Sequence, residues 1–155
     1  MDNVKQPTLN ELKSYLDEYG WKYKGGFKSP ENNNAAYLVS PYTLESGGRG
    51  ILISFRVEGE FVIVSTVEFL KNIPEKFSKE ILNLNDTLKL VKLFNVNEEN
   101  GGYLDVELGF ELWNESWNKE TFYSFMDMLC LGIEKTISIV ESKKIDHETN
   151  FVSFG

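Results

Sequence analysis

The stretch YLDVELGFELW, residues 103–113, decides the fold of this chain. Apolar residues occupy every second position from 104 to 112, and acidic or aromatic residues occupy most of the others. Successive side chains of an extended strand point to opposite faces. The pattern therefore predicts an antiparallel strand with one face in a core and the other toward water or a partner. It favours a small α+β domain whose sheet is covered on one side by helices.

Amphipathic helices are predicted near both ends of the chain. Thr8 and Glu11 have the spacing of a capping box, and Gly20 stands where a helix ends in a left-handed residue. The longest helix is predicted from about Asn118 to Lys143, because apolar residues recur along it at helical spacing. That apolar stripe comprises Phe122, Phe125, Met126, Leu129, Ile133, Ile137 and Val140.

The middle of the chain predicts a hairpin, a second helix and a further strand. Ile51–Val57 and Phe61–Phe69 are rich in β-branched and aromatic residues and flank a short linker that contains Gly59. Both runs are nearly continuously apolar at their centres, so we expect them to lie mid-sheet with both faces partly covered. The second helix is predicted to start at Ile73, with Pro74 in its first turn, and Leu88–Val96 to be a strand.

The segment from residue 21 to residue 50 alternates strand-like and turn-like composition. Strands are predicted at Trp21–Phe27 and Ala36–Val39, with a loop over Ser29–Asn34 and an exposed connection over Ser40–Gly50. The last residues, 144–155, are predicted to be a frayed tail. Together these elements predict one domain over residues 1–155, with a core at about 8–143 and an antiparallel sheet of about five strands.

Composition excludes several classes of function. The 155 residues are 41% hydrophobic and 26% charged, as in a soluble globular protein, and the formal net charge is −8. That charge disfavours nucleic acid and anionic membranes, because binding to phosphates requires lysine and arginine. No stretch approaches the ~20 apolar residues of a membrane helix, and the first residues lack the pattern of a secretory signal. With its single cysteine, the chain is expected to be cytoplasmic.

The element order, size and acidity resemble the YbjN family, whose fold is similar to that of the small type III secretion chaperones. The resemblance lies in the opening helix that ends at Gly20-Trp21, the hairpin of residues 51–69, the Ile73-Pro74 start, and the alternating strand before a long helix. It spans roughly Leu9 to Val140. It implies a compact α+β domain, often a dimer, that binds protein segments and has no known catalytic residues.

Residues with catalytic or metal-binding chemistry are sparse. His147 is the only histidine and lies in the polar tail, so we expect it to be solvated. Cys130 falls on the apolar stripe of the long helix, where a buried, inert thiol is expected. Residues 46–50 lack the Gly-Lys-Ser/Thr ending of a phosphate loop. We therefore expect no enzyme activity, no cofactor and no metal site.

Acidic and aromatic side chains of the alternating strand are the candidate partner-binding residues. Asp105, Glu107 and Glu111 share its outward face, which suits either plain solvent exposure or recognition of a basic partner. Tyr103, Trp113 and Trp117 are aromatic types common at binding hot spots, although Trp117 could also fold under the long helix and Trp113 pack on a loop. The candidate set is Tyr103, Asp105, Glu107, Glu111, Trp113 and Trp117.

Two functions are compatible with these observations. The first is a non-enzymatic, chaperone-like module, a homodimer, that holds an extended or partly unfolded protein segment and favours basic ones. The second is an acidic immunity- or antitoxin-type inhibitor that blocks the basic site of a single folded partner.

Overall fold

The alternating stretch forms a strand over Tyr103–Trp113, with the bounds that its pattern predicts. The computed structural model describes residues 6–29, 32–96 and 101–153, which form three helices and one antiparallel sheet of eight strands. The helices are α1 Leu9–Tyr19, α2 Ser78–Leu84 and α3 Lys119–Ser142. The strands are β1 Lys24–Ser29, β2 Asn32–Thr43, β3 Arg49–Glu58, β4 Phe61–Val67, β5 Leu70–Pro74, β6 Lys92–Asn95, β7 Tyr103–Trp113 and β8 Val152–Ser153.

The predicted helix boundaries at α1 and α3 are confirmed, because local capping determines them. The side chain of Thr8 accepts a hydrogen bond from the Glu11 backbone N–H at 3.1 Å. Gly20 ends α1 in the left-handed region, with φ of +87°. Asn118 caps α3 by accepting from the Thr121 N–H at 2.9 Å. No helix of the described ranges is long and apolar enough to cross a membrane.

The sheet is an antiparallel meander in which one strand position is divided in two. Ser65 of β4 and Leu70 of β5 pair with Gly109 and Val106 of β7, and β6 pairs with the same two β7 residues from the other side. Strands β4 and β5 therefore lie end to end along one edge of β7. The order across the sheet is β1, β2, β3, β4 with β5, β7 and β6. The sheet has eight strands, which is more than the predicted number of about five.

The core lies between one face of this sheet and the two longer helices. In register across the sheet, Leu38, Phe55 and Val64 are fully buried on the core face. The helices add Leu12 and Leu16 from α1 and the apolar stripe of α3. The buried residues of that stripe are Phe122, Met126, Leu129, Ile133, Ile137 and Val140.

The strand predicted at Ala36–Val39 is confirmed but is longer than predicted, because residues expected in the flanking loop and connection belong to the same strand. Strand β1 ends at Ser29, and β2 runs from Asn32 to Thr43; Pro30 and Glu31 lie outside the described residues. Ser40, which was expected in an exposed connection, is buried and donates to the Lys22 carbonyl at 2.5 Å. Pairing with β3 from Tyr37 to Thr43, and with β1 nearer its start, supplies the backbone hydrogen bonds that polar composition does not predict.

Two elements in the middle of the chain are also placed differently. Pro74 ends strand β5, and a 3-10 turn over Glu75–Phe77 precedes α2. Only residues 92–95 of the predicted Leu88–Val96 strand are extended in the sheet. Leu88 and Val91 instead pack close to Gly132 of α3. The chain therefore runs under α3 before it enters β6 and pairs with β7.

Residues 145–153 of the tail pack against the sheet, contrary to the prediction that the tail is frayed; residues 154 and 155 lie outside the described ranges. Ile145 is buried, and Glu148 bridges Lys71 through two backbone hydrogen bonds of 2.8 Å each. Strand β8 then pairs with Arg49 and Gly50 of β3. The tail thereby lies between the start of β3 and β5, beyond the end of β4. There it supplies hydrogen-bond partners to backbone groups that would otherwise be unpaired within the sheet.

Candidate functional site

One face of the sheet is left open by the helices. Burial alternates along β3, where Ile51, Ile53 and Phe55 are buried and the intervening side chains are half-buried. This agrees with the expectation that the hairpin lies mid-sheet with both faces partly covered, since the second face of β3 and β4 is half-buried along most of its length. The residues of the opposite parity on β2, β3, β4 and β7 form what we call the open face. It comprises Tyr37, Val39, Pro41, Leu52, Ser54, Arg56, Phe61, Ile63, Ser65, Val67, Glu111 and Trp113.

A groove of about 550 Å³ lies at the β1 end of the open face, and we call it the open-face groove. Its volume falls within the ~300–1,000 Å³ typical of ligand sites, and its lining is largely apolar. Two exposed lysines, Lys22 and Lys24, lie on its rim. The remaining lining residues are Tyr23, Tyr37, Val39, Pro41, Leu52 and Val152.

The far end of the open face carries two of the predicted partner-binding residues. Trp113 is 43% exposed and lies opposite Phe61, which is 41% exposed. The Trp113 indole N–H donates to Glu60 Oε2 at 3.3 Å. Glu111 is exposed beside Ile63. An aromatic pair of this exposure has no core to fill, so it adds apolar area to the open face.

Tyr103 is exposed, as predicted, but it lies apart from Trp113. It pairs with Pro74 at the opposite end of β7, ten residues along the strand from Trp113. At ~3.4 Å per residue, the two aromatic residues are about 34 Å apart along the strand. The structure therefore does not bring Tyr103 into one site with Trp113 and Glu111.

Asp105 and Glu107 do not form the exposed acidic surface that the strand pattern predicts. Asp105 is 8% exposed and accepts from the Asn72 N–H at 2.9 Å. Glu107 is half-buried; its Oε1 accepts from the Phe69 N–H at 3.1 Å and from the Thr66 hydroxyl at 2.7 Å. Both carboxylates accept hydrogen bonds from backbone N–H groups where sheet pairing is interrupted. Phe69 lies in the link between β4 and β5, and Asn72 lies at the irregularity in the pairing of β5 with β7.

Burial also changes the acidity of Glu107. Desolvation raises the pKa of this carboxyl above its ordinary value, and the hydrogen bonds from Thr66 and Phe69 oppose the shift only in part. The group is therefore a structural carboxyl that is held in place at some electrostatic expense.

Trp117 lies among aromatic residues between α1 and α3 and not on the open face. It is 9% exposed, with ring centroids 4.9 Å from Tyr15 and 5.3 Å from Phe122. The turn over Asn114–Ser116 brings it there by reversing the chain between β7 and α3. The alternative in which Trp117 folds under the long helix is the one that the structure shows.

The side of α3 that faces β2 carries carboxylates paired with tyrosines around Cys130. Glu134 Oε2 accepts from the Tyr42 hydroxyl and from the Glu45 N–H, each at 2.8 Å, and Asp127 accepts from the Tyr19 hydroxyl. Burial, and then the two carboxylates, raise the pKa of the half-buried Cys130 thiol to about 12. The thiol is therefore protonated at neutral pH, the opposite of what a nucleophilic cysteine requires.

No group of three or more histidine, cysteine or acidic side chains that could hold a metal occurs among the described residues. His147 Nδ1 lies 2.7 Å from the Ile145 carbonyl, so the imidazole takes part in packing the tail.

The sequence pattern missed the groove residues, although part of the signal was present. Leu52, Ser54 and Arg56 alternate with the buried residues of β3, and the same alternation continues in β4. Reading that alternation would have indicated a half-exposed face. Tyr23 and Val152 could not have been found this way, because Tyr23 precedes β1 and Val152 lies in β8, within the tail that was predicted to be frayed.

Comparison with known proteins shows the fold alone. No family model and no curated protein matches the chain. Among solved structures, it is similar to YbjN from E. coli, a candidate transcription regulator, with a TM-score of 0.61 and 14% sequence identity. The match covers 90% of this chain and 95% of that one. The resemblance expected from the sequence is therefore confirmed for the fold.

Proposed function

We propose that this protein is a non-enzymatic, chaperone-like module that holds an extended or partly unfolded protein segment on the open face of its sheet. The observation that carries the proposal is that the helices cover one sheet face, while the other keeps an apolar groove of about 550 Å³. An apolar groove of this size is typical of an interaction site.

An extended segment suits this surface better than a helix. The open face presents side chains in parallel rows, and an extended chain places every second side chain toward the sheet. In the described part of the chain β1 pairs only with β2, so its outer edge offers backbone groups for strand addition. Burial of apolar groove side chains contributes roughly 25 cal/mol per Å² removed from water.

The test is fluorescence anisotropy with labelled, permanently unfolded protein segments and four versions of the protein. Leu52→Glu places a charge in the groove, and Trp113→Ala removes the aromatic residue at the far end of the face. Leu131→Glu is the matched control, because Leu131 is 57% exposed on α3, on the helical side of the sheet. We expect Leu52→Glu to weaken binding at least tenfold, Trp113→Ala to weaken it less, and Leu131→Glu to leave it unchanged. Equal binding by all four folded proteins would refute the proposal.

An inhibitor of one basic partner is the second candidate. An acidic hollow of about 300 Å³ favours it, since Glu45, Asp127 and Glu134 surround the exposed Leu131 there. Affinity purification from the native host separates the two functions. One stoichiometric, basic protein whose binding weakens steeply with salt supports the inhibitor, and several substoichiometric proteins support the chaperone-like module.

The homodimer expected from the sequence remains part of the proposal, and one surface is suited to it. Leu82, Phe94 and Tyr103 are 64%, 43% and 49% exposed near the β6 edge of the sheet. A groove of about 180 Å³ lies beside Leu82 and Phe94. Light scattering after size exclusion should give twice the chain mass of 17.8 kDa, and Phe94→Lys should give a monomer. A monomeric native protein at high concentration would remove the dimer from the proposal.

Direct DNA binding is not proposed for this chain. The net charge of −8 opposes contact with phosphates, so we propose that any regulatory role of this chain acts through protein contacts.

A further inference from the structure

The rim of the open-face groove has a charge opposite to that of the whole protein. The chain carries a net charge of −8, yet the two charged residues that line the groove are Lys22 and Lys24. Both lysines are exposed, and neither has a carboxylate within ion-pair distance among the described residues. Their ammonium groups are therefore available to an occupant of the groove.

The lysines lie next to the apolar part of the groove in a regular arrangement. Lys24 pairs in register with Val39, which in turn pairs with Ser54. Pro41 and Leu52 pair with each other two residues further along, on the same face. A bound extended chain would place alternate side chains over Val39 and Leu52. Its other side chains would point away from the sheet, toward the solvent into which the two exposed lysines also extend.

We infer that the open-face groove selects extended segments in which apolar residues alternate with aspartate or glutamate. This inference rests on the proposed function and names the class of segment that the same face holds. Charges act on an occupant mainly within the Debye length of ~8 Å at physiological salt, so the two lysines that line the groove act on it more strongly than carboxylates that do not line it. Asp17 reaches the border of the groove through its hydrogen bond with Tyr23, and there it stands as one carboxylate against two lysines. The preference is the reverse of the basic one that net charge alone predicts.

Two labelled ten-residue peptides test the inference by fluorescence anisotropy. They share the same apolar residues at alternate positions and carry either glutamate or lysine at the others. We expect the glutamate peptide to bind native protein about tenfold more tightly, since two solvent-exposed ion pairs together are worth about that factor. The double variant Lys22→Glu, Lys24→Glu should reverse the preference, whereas the control Lys79→Glu, on the exposed side of α2, should preserve it.

The outcomes separate the inference from the proposed function. Equal binding of both peptides, or tighter binding of the lysine peptide, would overturn the inference while leaving the proposed function standing if Leu52→Glu abolishes both interactions. A preference for glutamate that survives the double lysine variant would also overturn it. Absence of binding by either peptide, or binding that Leu52→Glu leaves unchanged, would refute the groove as the binding site and the inference with it.

Discussion

Replacing Gly109 with alanine should destabilise the protein, because strands β4 and β7 lie too close together at this point for a side chain. A Cβ atom built at Gly109 would lie 2.4 Å from the Val64 carbonyl oxygen and 2.9 Å from Ser65 Cβ. Real Cβ atoms essentially never come closer than 3.0 Å to such neighbours, so the backbone must move by at least about 0.6 Å. Gly109 pairs with Ser65 on one side and Lys92 on the other, which restricts that movement.

The expected loss is about 1–2 kcal/mol of unfolding free energy. Forced overpacking costs about 1–3 kcal/mol, and the lower backbone entropy of unfolded alanine returns about 0.4–1 kcal/mol. For a chain of this length the loss corresponds to a melting temperature lower by roughly 2–8 °C. Thermal melts followed by circular dichroism, with urea unfolding as a second measure, provide the assay.

Gly132→Ala is the matched control for Gly109→Ala. Its Cβ would meet side-chain methyl groups of Leu108 and Val91 at 3.2 Å, so those side chains need to shift by only a few tenths of an ångström. Alanine also favours the interior of α3 by about 1 kcal/mol over glycine, so the two effects nearly cancel. We expect the melting temperature of this variant to stay close to that of the native protein. An unchanged or higher melting temperature for Gly109→Ala would refute the steric reasoning.

Three further predictions follow from individual side chains. Because burial raises the pKa of Glu107, the unfolding free energy of the native protein should fall as pH rises through that pKa. The unfolding free energy of Glu107→Gln minus that of the native protein, measured with urea, should therefore be larger at pH 7 than at pH 4. The reverse trend would contradict the direction of the pKa shift. Trp117→Ala should lower the unfolding free energy by about 3–5 kcal/mol and Trp113→Ala by less than about 1 kcal/mol in the same assay, since only Trp117 is buried; equal losses would contradict that placement. The Cys130 thiol, with a pKa of about 12, should react with a disulfide reagent at pH 8 at least about 100-fold more slowly in native than in denatured protein; comparable rates would show an accessible thiolate.

Elements with a local signal were predicted well from the sequence. The caps of α1 and α3, the hairpin of β3 and β4, and the bounds of β7 depend on residues within a few positions of one another. Capping residues, period and turn composition act through short-range hydrogen bonds and sterics. The YbjN-like α+β fold follows from the order of these elements, and the similar solved structure confirms it.

Residues whose environment depends on distant segments were predicted poorly. Asp105 lies at a position of β7 where the strand alternation predicts an exposed side chain. It is buried instead, and its carboxylate accepts a hydrogen bond from the Asn72 backbone N–H. The two ends of strand β2 have the composition of a loop, but pairing with β1 and β3 makes them part of the sheet. Trp117 has the type and position of a surface aromatic, and contact with Tyr15 of α1 buries it.

Local sequence alone therefore determined the two longer helices, the central hairpin, the alternating strand and the acidic net charge of the chain. The tertiary structure decided which of the acidic and aromatic residues stay exposed, where the tail lies, and that Lys22 and Lys24 meet an apolar groove. The physical reason is that burial and charge environment are sums over neighbours in space. Sheet pairing assembles those neighbours from segments as far apart as β2 and β8, which no local pattern in the sequence encodes.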